Sequence, residues 1–395
     1  MNICIIATYT TEHILGGREI HIKELAEGLV EKGYNVAILT TKHPNGITYK
    51  EDGGVKYYYF KRKRPSLFYN RLFLKEFAKF FEEINEKEKF DVIHSLSPIV
   101  LSLIKKRGYH EYIPIVITLQ GTTSINELKN LIKSLSLKSF LLIPFLLKDH
   151  FLDAPLIFKN SDKIITVNTI LNESVKKQYK VPDEKLAMIP NGIDTEKFKP
   201  NLNISELKRK YGINDEKVIL CAGNLNKYKG IQYVIRIFSS LKDSNMALFI
   251  VGTGDYLSEL KKLSEKLNIS NNIIFTGKVP NQELPKYYNL ADVFVMPTML
   301  LEGLPLVVLE AMACGKPVIA HRIGGIPTVI DNYEDGVLVE PGDLKELEEK
   351  ILNVLNDNQL SKKLGENARK KIVEKFSLKG MIENTIKVYE EVLTK

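Results

Sequence analysis

Glu302 and Glu310 are separated by seven residues in the stretch Glu302-Gly-Leu-Pro-Leu-Val-Val-Leu-Glu310-Ala-Met-Ala-Cys-Gly315. Pro305 suits the first position of a helix, because the N–H it lacks would have no intrahelical partner there. The amides of that first turn then point outward and favour negative charge, which makes a seat for a phosphate. One carboxylate precedes this seat, and the other lies about a turn and a half into the helix. Amides for a phosphate and carboxylates for hydroxyls suit a sugar–phosphate ligand. Two glutamates on a helix are ordinarily solvated, but the apolar residues around these two argue against a solvated face.

Downstream, Lys316-Pro-Val-Ile-Ala320 reads as a short buried strand, and Gly324-Gly325-Ile-Pro327 as a glycine turn before another helix. Together, residues 292–342 resemble the nucleotide-binding half of retaining glycosyltransferases of the family 4 type, which have the GT-B fold. That family carries Glu-x7-Glu, then Glu-Ala-Met-Ala-x-Gly, then a Gly-Gly turn, and this chain has each in order. The resemblance implies a hexosyltransferase that takes a nucleotide diphosphate sugar as substrate, with no separate cofactor and no metal. It implies that Glu310 holds the ribose hydroxyls and Glu302 the donor-sugar hydroxyls. The backbone of Leu304, Pro305, Leu306 and Val307 would face the phosphate and sugar.

Elements of two kinds must position these groups. Apolar runs at Ile3–Ala7, Asn35–Thr40, Asp91–His94, Ile115–Leu119 and Lys163–Val167 have strand length. So do those at Lys217–Ala222, Ala247–Val251, Asn272–Thr276, Asp292–Met296 and Pro317–Ala320. Near-continuous Val/Ile/Leu runs alternating with helical patterns mean parallel sheets covered on both faces. The chain of 395 residues is too long for one ordinary core. The fold class predicted is α/β, two doubly wound Rossmann-like domains, with ligands beyond the carboxyl ends of the strands in an interdomain cleft. The turn-rich Ile189-Pro-Asn-Gly-Ile-Asp194 marks a hinge, as the same segment does in the family. The expected domains are 1–192, on the acceptor side, and 193–376, on the nucleotide-sugar side. The helix over 377–395 has helical spacing at Ile382, Ile386, Tyr389 and Leu393, and the resemblance implies that it returns to the first domain.

Further candidates follow strands. Gly16-Gly17 lets a backbone approach a phosphate at a helix start, and in the family this loop covers the donor diphosphate and the acceptor. Gly223-Asn-Leu-Asn-Lys-Tyr-Lys229-Gly230 resembles the family segment in which an arginine and a lysine neutralise the leaving diphosphate. Lys229 matches the lysine, whereas Asn224 stands at the arginine position; Lys227 and Arg322 are the nearest substitutes by position. Gln120-Gly121 stands where the family often has His-Gly. A glutamine can hydrogen-bond a sugar but accepts no proton at neutral pH, which fits a reaction whose leaving phosphate takes the acceptor proton. The alternative is a structural turn. His94 ends a strand and reads as a weaker candidate. Gly252-Thr-Gly254 resembles the family's base-contact region and lacks the third glycine of a dinucleotide fingerprint.

Composition narrows the remainder. Hydrophobic content is 44% and charged content 26%, as in globular proteins. Cys4, Cys221 and Cys314 sit in apolar runs without metal spacing and read as buried residues in a reducing compartment. The longest apolar block, Phe140–Leu147, is too short to span a bilayer, so the protein is expected to be cytoplasmic. The net charge of +8 comes without a nucleic-acid-binding signature, which leaves anionic small molecules or an anionic membrane as partners. Tyr57–Tyr69 mixes four basic residues with six aromatics, and Lys129–Phe151 sets four lysines among aliphatics. Both suit a peripheral membrane contact and a lipid-linked acceptor, with core helices bearing solvated lysines as the alternative. A nucleotide-sugar epimerase and a two-domain sugar-binding protein are the competing functions. The first would need more acid/base side chains at the sugar, and the second would have no use for a leaving-group lysine.

Overall fold

The computed structural model describes residues 1–14, 16–64, 70–106, 113–121, 143–144, 146–241 and 245–394. The chain divides into two compact units, Met1–Asn191 with Lys379–Lys395, and Gly192–Leu378.

The first unit is built on strands β1 (Asn2–Ile6), β2 (Asn35–Thr40), β3 (Tyr49–Asp52), β4 (Val55–Tyr59), β5 (Val92–Ser95), β6 (Ile115–Leu119), β7 (Lys163–Thr166) and β8 (Leu186–Met188). They form one sheet in the order β3-β4-β2-β1-β5-β6-β7-β8, parallel except for the β3–β4 pair. Ile3, Cys4, Ile5 and Ile6 are wholly buried, as a central strand covered on both faces requires. The second unit has β9 (Lys217–Ala222), β10 (Met246–Val251), β11 (Ile273–Gly277), β12 (Val293–Met296), β13 (Val318–His321) and β14 (Val337–Val339). Its order is β11-β10-β9-β12-β13-β14, all parallel. Strand order reverses between β1 and β5 in one sheet and between β9 and β12 in the other, and such switch points open the crevice where α/β sheets bind ligands.

Two sequence expectations change. The aromatic run at Tyr57 is strand β4, with Val55, Tyr57 and Tyr59 turned into the core, and Phe60 is buried beside it. Those three rings are therefore unavailable to a membrane; the run's Lys61–Arg64 remain exposed, and most of Lys129–Phe151 lies outside the described residues. In the helix Leu378–Leu393, Ile382, Ile386 and Tyr389 are buried, whereas Leu393 is 44% exposed in the last turn. This helix packs Ile382 on Gly28 and pairs Lys32 with Glu383 at 2.9 Å. Among the described residues no helix is long and apolar enough to cross a membrane. The three cysteines are buried and unpaired, and burial pushes the Cys221 and Cys314 thiols up to about 12, so they stay protonated.

Candidate active site

Two loops meet at the switch point of the second sheet. The β9 loop carries Lys229 in a short 3-10 turn, Lys227–Lys229, and the β12 loop carries Glu302. The Met299 N–H donates to the Tyr228 carbonyl at 2.8 Å, which laces the loops together. Lys229 Nζ lies 2.6 Å from Glu302 Oε1, with the side chains 20% and 18% exposed. Thr298 Oγ1 donates to the same carboxylate oxygen at 3.3 Å, and its carbonyl accepts from His321 Nδ1 at 3.0 Å. That bond places the His321 proton on Nδ1. Nε2 is left buried and without a partner among the described residues, and burial lowers the histidine's pKa.

The Gly324-Gly325 turn grips the backbone of Glu302. The Gly325 N–H donates to the Glu302 carbonyl at 2.9 Å. Gly324 has φ +57°, and a Cβ there would stand 2.3 Å from the Glu302 oxygen and 2.7 Å from its nitrogen. Gly324→Ala therefore has to move Glu302 as well as adopt a left-handed backbone. Misplacing a reacting group by an ångström costs on the order of 10²-fold in rate, and a fall of that size in kcat/KM is expected. An unchanged rate would detach the turn from the site.

Helix Leu306–Ala313 follows, and Pro305 is its N-cap, with φ −72° and ψ 121°, one position earlier than the sequence suggests. Leu304, Pro305 and Leu306 are buried and Val307 is half-buried. Glu310 is 4% exposed, and its Oε2 accepts from the Tyr288 hydroxyl at 2.5 Å. Burial raises the Glu310 pKa, opposed by the Tyr288 hydrogen bond and the Lys197 charge. Tyr288, in helix Leu284–Leu290, has no sequence motif. Its only signal is an apolar helix with a hydroxyl on its inward face.

Asn224 is exposed, with Oδ1 2.7 Å from where a Gly254 Cβ would stand. Gly252 has φ +133°, and a Cβ there would be 1.9 Å from the Gly223 carbonyl, so only glycine lets these two strand ends touch. Of the two substitutes for the missing arginine, Arg322 Nε is bound to Glu340 at 2.9 Å, whereas Lys227 is exposed and makes no ion pair among the described residues.

In the first unit, Gly16 caps helix Gly17–Glu31 in extended conformation. The Glu19 carboxylate lies 2.6 Å from where a Gly16 Cβ would stand, and burial raises its pKa. The anion position at this helix start is thus held by the chain's own side chain. Arg18 Nη2 lies 3.9 Å from where a Gly121 Cβ would be, which brings the Gly16-Gly17 and Gln120-Gly121 turns together. Gln120 Nε2 is buried without a partner among the described residues. Arg18 went unnoticed in the sequence because the glycines beside it carry the motif. Glu12 fixes the same loop, accepting from His43, Lys50 and, at 3.0 Å, Tyr59. His94 leaves the list of candidates. It is 1% exposed, with Nδ1 2.5 Å from the Tyr389 hydroxyl and Nε2 2.7 Å from Thr118 Oγ1, and burial lowers its pKa to about 3. It is a neutral tie for the C-terminal helix. Among the described residues no group of three or more His, Cys, Asp or Glu could hold a metal ion.

Two Rossmann-like units, each on a largely parallel sheet, are the domains of a GT-B fold, and the second carries glycine turns, a lysine and two glutamates beyond its strand ends. Residues 203–371 match the model of the glycosyl transferases group 1, and residues 15–197 that of glycosyltransferase family 4. An uncharacterised glycosyltransferase of Methanocaldococcus jannaschii is 31% identical over 99% of this chain and 98% of its own length. The N-acetyl-alpha-D-glucosaminyl L-malate synthase of Bacillus anthracis is 27% identical over 96% and 95%. A GDP-mannose-dependent phosphatidylinositol monomannoside mannosyltransferase of Mycolicibacterium smegmatis is 33% identical over 47% of this chain and 50% of that one. Among solved structures, sucrose-phosphate synthase from Thermosynechococcus elongatus superposes with a TM-score of 0.82 at 22% identity, covering 100% and 99%. HepE of Anabaena in complex with UDP gives 0.79 at 19%, covering 99% and 100%. The chain belongs to the group 1, family 4 glycosyltransferases, enzymes that use nucleotide-sugar donors.

Proposed function

We propose that the protein transfers a sugar from a nucleotide diphosphate to a hydroxyl with retention of anomeric configuration and without a metal. The observation that carries this reading is the Lys229–Glu302 pair, 2.6 Å apart at the switch point of the second sheet. Glu310 holds the ribose hydroxyls, and Glu302 holds the sugar hydroxyls. The Leu304–Val307 backbone faces the phosphate and sugar, with Asn224 and Gly252 at the nucleotide. Lys229 shifts from Glu302 to the diphosphate as the bond from the anomeric carbon to the phosphate oxygen breaks. Lys227 supplies the charge that Asn224 lacks. The acceptor oxygen forms the new bond on the same face, and its proton passes to the leaving phosphate; no protein base is needed, and Gln120 serves as a hydrogen-bonding group. Gly16 and Gly17 serve the donor as a phosphate-binding turn, with Arg18 as their cation. One relative is named for L-malate and another for phosphatidylinositol monomannoside, and the acceptor here is a hydroxyl on a small molecule, a glycan or a lipid-linked sugar.

A thermal-shift screen against nucleoside diphosphates and then their sugar conjugates tests this. A ligand at a hundred times its Kd stabilises the folded state by about 2.7 kcal/mol, so one base should raise Tm clearly. The rise, and release of nucleoside diphosphate on adding acceptor, should persist in EDTA. Absence of any nucleotide effect would end the reading, and loss of activity in EDTA alone would end its metal-free part.

A further inference from the structure

Helix Arg71–Glu88 buries Phe73, Leu74, Phe77, Ala78, Phe81 and Ile84. Arg71, Lys75 and Lys79 stand four apart on an exposed stripe of the same helix. None of the three makes an ion pair or hydrogen bond among the described residues, and like charges at this spacing weaken a helix. Folding of the unit does not call for them.

A cavity of about 640 Å³ lies against this stripe. Lys105, Lys106 and Lys148 line it too, and no acidic side chain does so among the described residues. Acids outside the lining hold these lysines in place: Asp153 accepts from Lys105 at 3.1 Å and from Lys148, and Glu82 from Lys106. Leu74 and Ala78 are its apolar lining, and Ser102, 2% exposed, brings a hydroxyl with no partner among the described residues. A smaller cavity of about 420 Å³ adjoins at Asn70, lined by Lys42, Lys61, Arg62 and Lys63. Exposed apolar side chains flank the cations in sequence: Leu72 at 54%, Phe151 at 65% and Leu152 at 63%.

A soluble polyanion would use the cations but has no need of the apolar lining or the exposed apolar residues. A neutral apolar ligand would leave Arg71, Lys75 and Lys79 uncompensated. A phosphate on an apolar body satisfies both, and basic residues beside exposed apolar ones suit the boundary between headgroups and acyl chains. We propose that the cavity between helices Arg71–Glu88 and Leu101–Ile104 binds the phosphate headgroup of an anionic lipid. This goes beyond the donor site and does not rest on it, since all of these residues belong to the first unit.

The full chain should co-sediment with vesicles of phosphatidylcholine mixed with phosphatidylglycerol and stay in solution with phosphatidylcholine alone. Binding should weaken as salt rises. At about 1 kcal/mol for each basic residue near the surface, Lys75→Glu with Lys79→Glu should weaken it at least about thirty-fold. The control pair Lys262→Glu with Lys362→Glu changes net charge equally through two exposed lysines of the second unit, 70% and 75% accessible, and should bind like wild type. Equal losses in both pairs would reduce the effect to net charge and overturn the site. So would equal binding to uncharged vesicles, or protection of the protein's Tm by glycerol 1-phosphate with no vesicle binding, which would make it a pocket for soluble phosphates. The Tm rise with nucleotide, measured on each variant, reports the donor site separately.

Discussion

Lys229→Ala is expected to lower kcat by roughly 10²–10³-fold, the cost of removing one preorganised group that stabilises charge growing in a transition state. Donor affinity should fall far less, because the diphosphate carries its largest extra charge only as the glycosidic bond breaks. The Lys229–Glu302 ion pair of 2.6 Å adds a competing explanation. The lysine could serve only to neutralise a half-buried carboxylate, which would otherwise keep the Thr298 hydroxyl at 3.3 Å as its remaining partner among the described residues. A double-mutant cycle separates the two. If neutralisation were the whole role, Glu302→Ala would restore activity to Lys229→Ala; if both side chains act on the donor, the double variant is at least as slow as the slower single one. Restoration would remove Lys229 from the chemistry.

The pairing bears on how the site rests between turnovers. An ammonium that already has a carboxylate partner needs no counterion from solvent, and a diphosphate, with more charge, can draw it away. On the proposed donor reading, Glu302 is then free to accept from sugar hydroxyls, while the Gly324-Gly325 turn keeps its backbone in place. One exchange of partners thus releases both groups. The Glu19 carboxylate beside Gly16 stands in a comparable position at the first unit's helix start.

How far this was legible in the sequence follows from distance along the chain. Runs such as Asn35–Thr40 and Lys217–Ala222 match strands residue for residue, because a strand buried on both faces is a continuous apolar run. The hairpin of β3 and β4 was missed although Val55, Tyr57 and Tyr59 alternate with Lys56 and Tyr58; a cluster of aromatics and cations drew attention to the surface instead. Strands β8 and β14 have three residues each, too few for a pattern. Short-range motifs brought Glu302, Gly324 and Glu310 into view. The contacts that orient them were not legible: Tyr288 and Glu310 lie 22 positions apart, His321 and Thr298 lie 23 apart, and His94 and Tyr389 lie 295 apart. No local pattern encodes a hydrogen bond of that span. His94 shows the reverse error, since the end of a strand can face a ligand or the core, and here a tyrosine of the last helix takes it.

Glu310→Gln is expected to separate binding from stability in opposite directions. Glu310 is buried, and burial raises its pKa, so the free protein holds a carboxylate that folding disfavours in its charged form. The sign follows from linkage: stability contributed by this group is present below the unfolded carboxyl pKa and is lost as pH rises through the raised folded value. At neutral pH the neutral glutamine removes that cost, and its carbonyl can still accept from Tyr288, so Tm without ligand should hold or rise. Nucleotide affinity should nevertheless fall by about 1.5–3 kcal/mol, roughly 10- to 150-fold, because hydroxyls lose a charged acceptor. Glu310→Ala should lose both affinity and stability, since it strands the Tyr288 hydroxyl, bonded at 2.5 Å, at a cost of about 1–3 kcal/mol. Calorimetry with the nucleoside diphosphate, run beside thermal melts of both variants, distinguishes the roles. A purely structural Glu310 would give glutamine a lower Tm and unchanged affinity, whereas a ribose-binding Glu310 gives a stable protein that has lost its grip on the nucleotide.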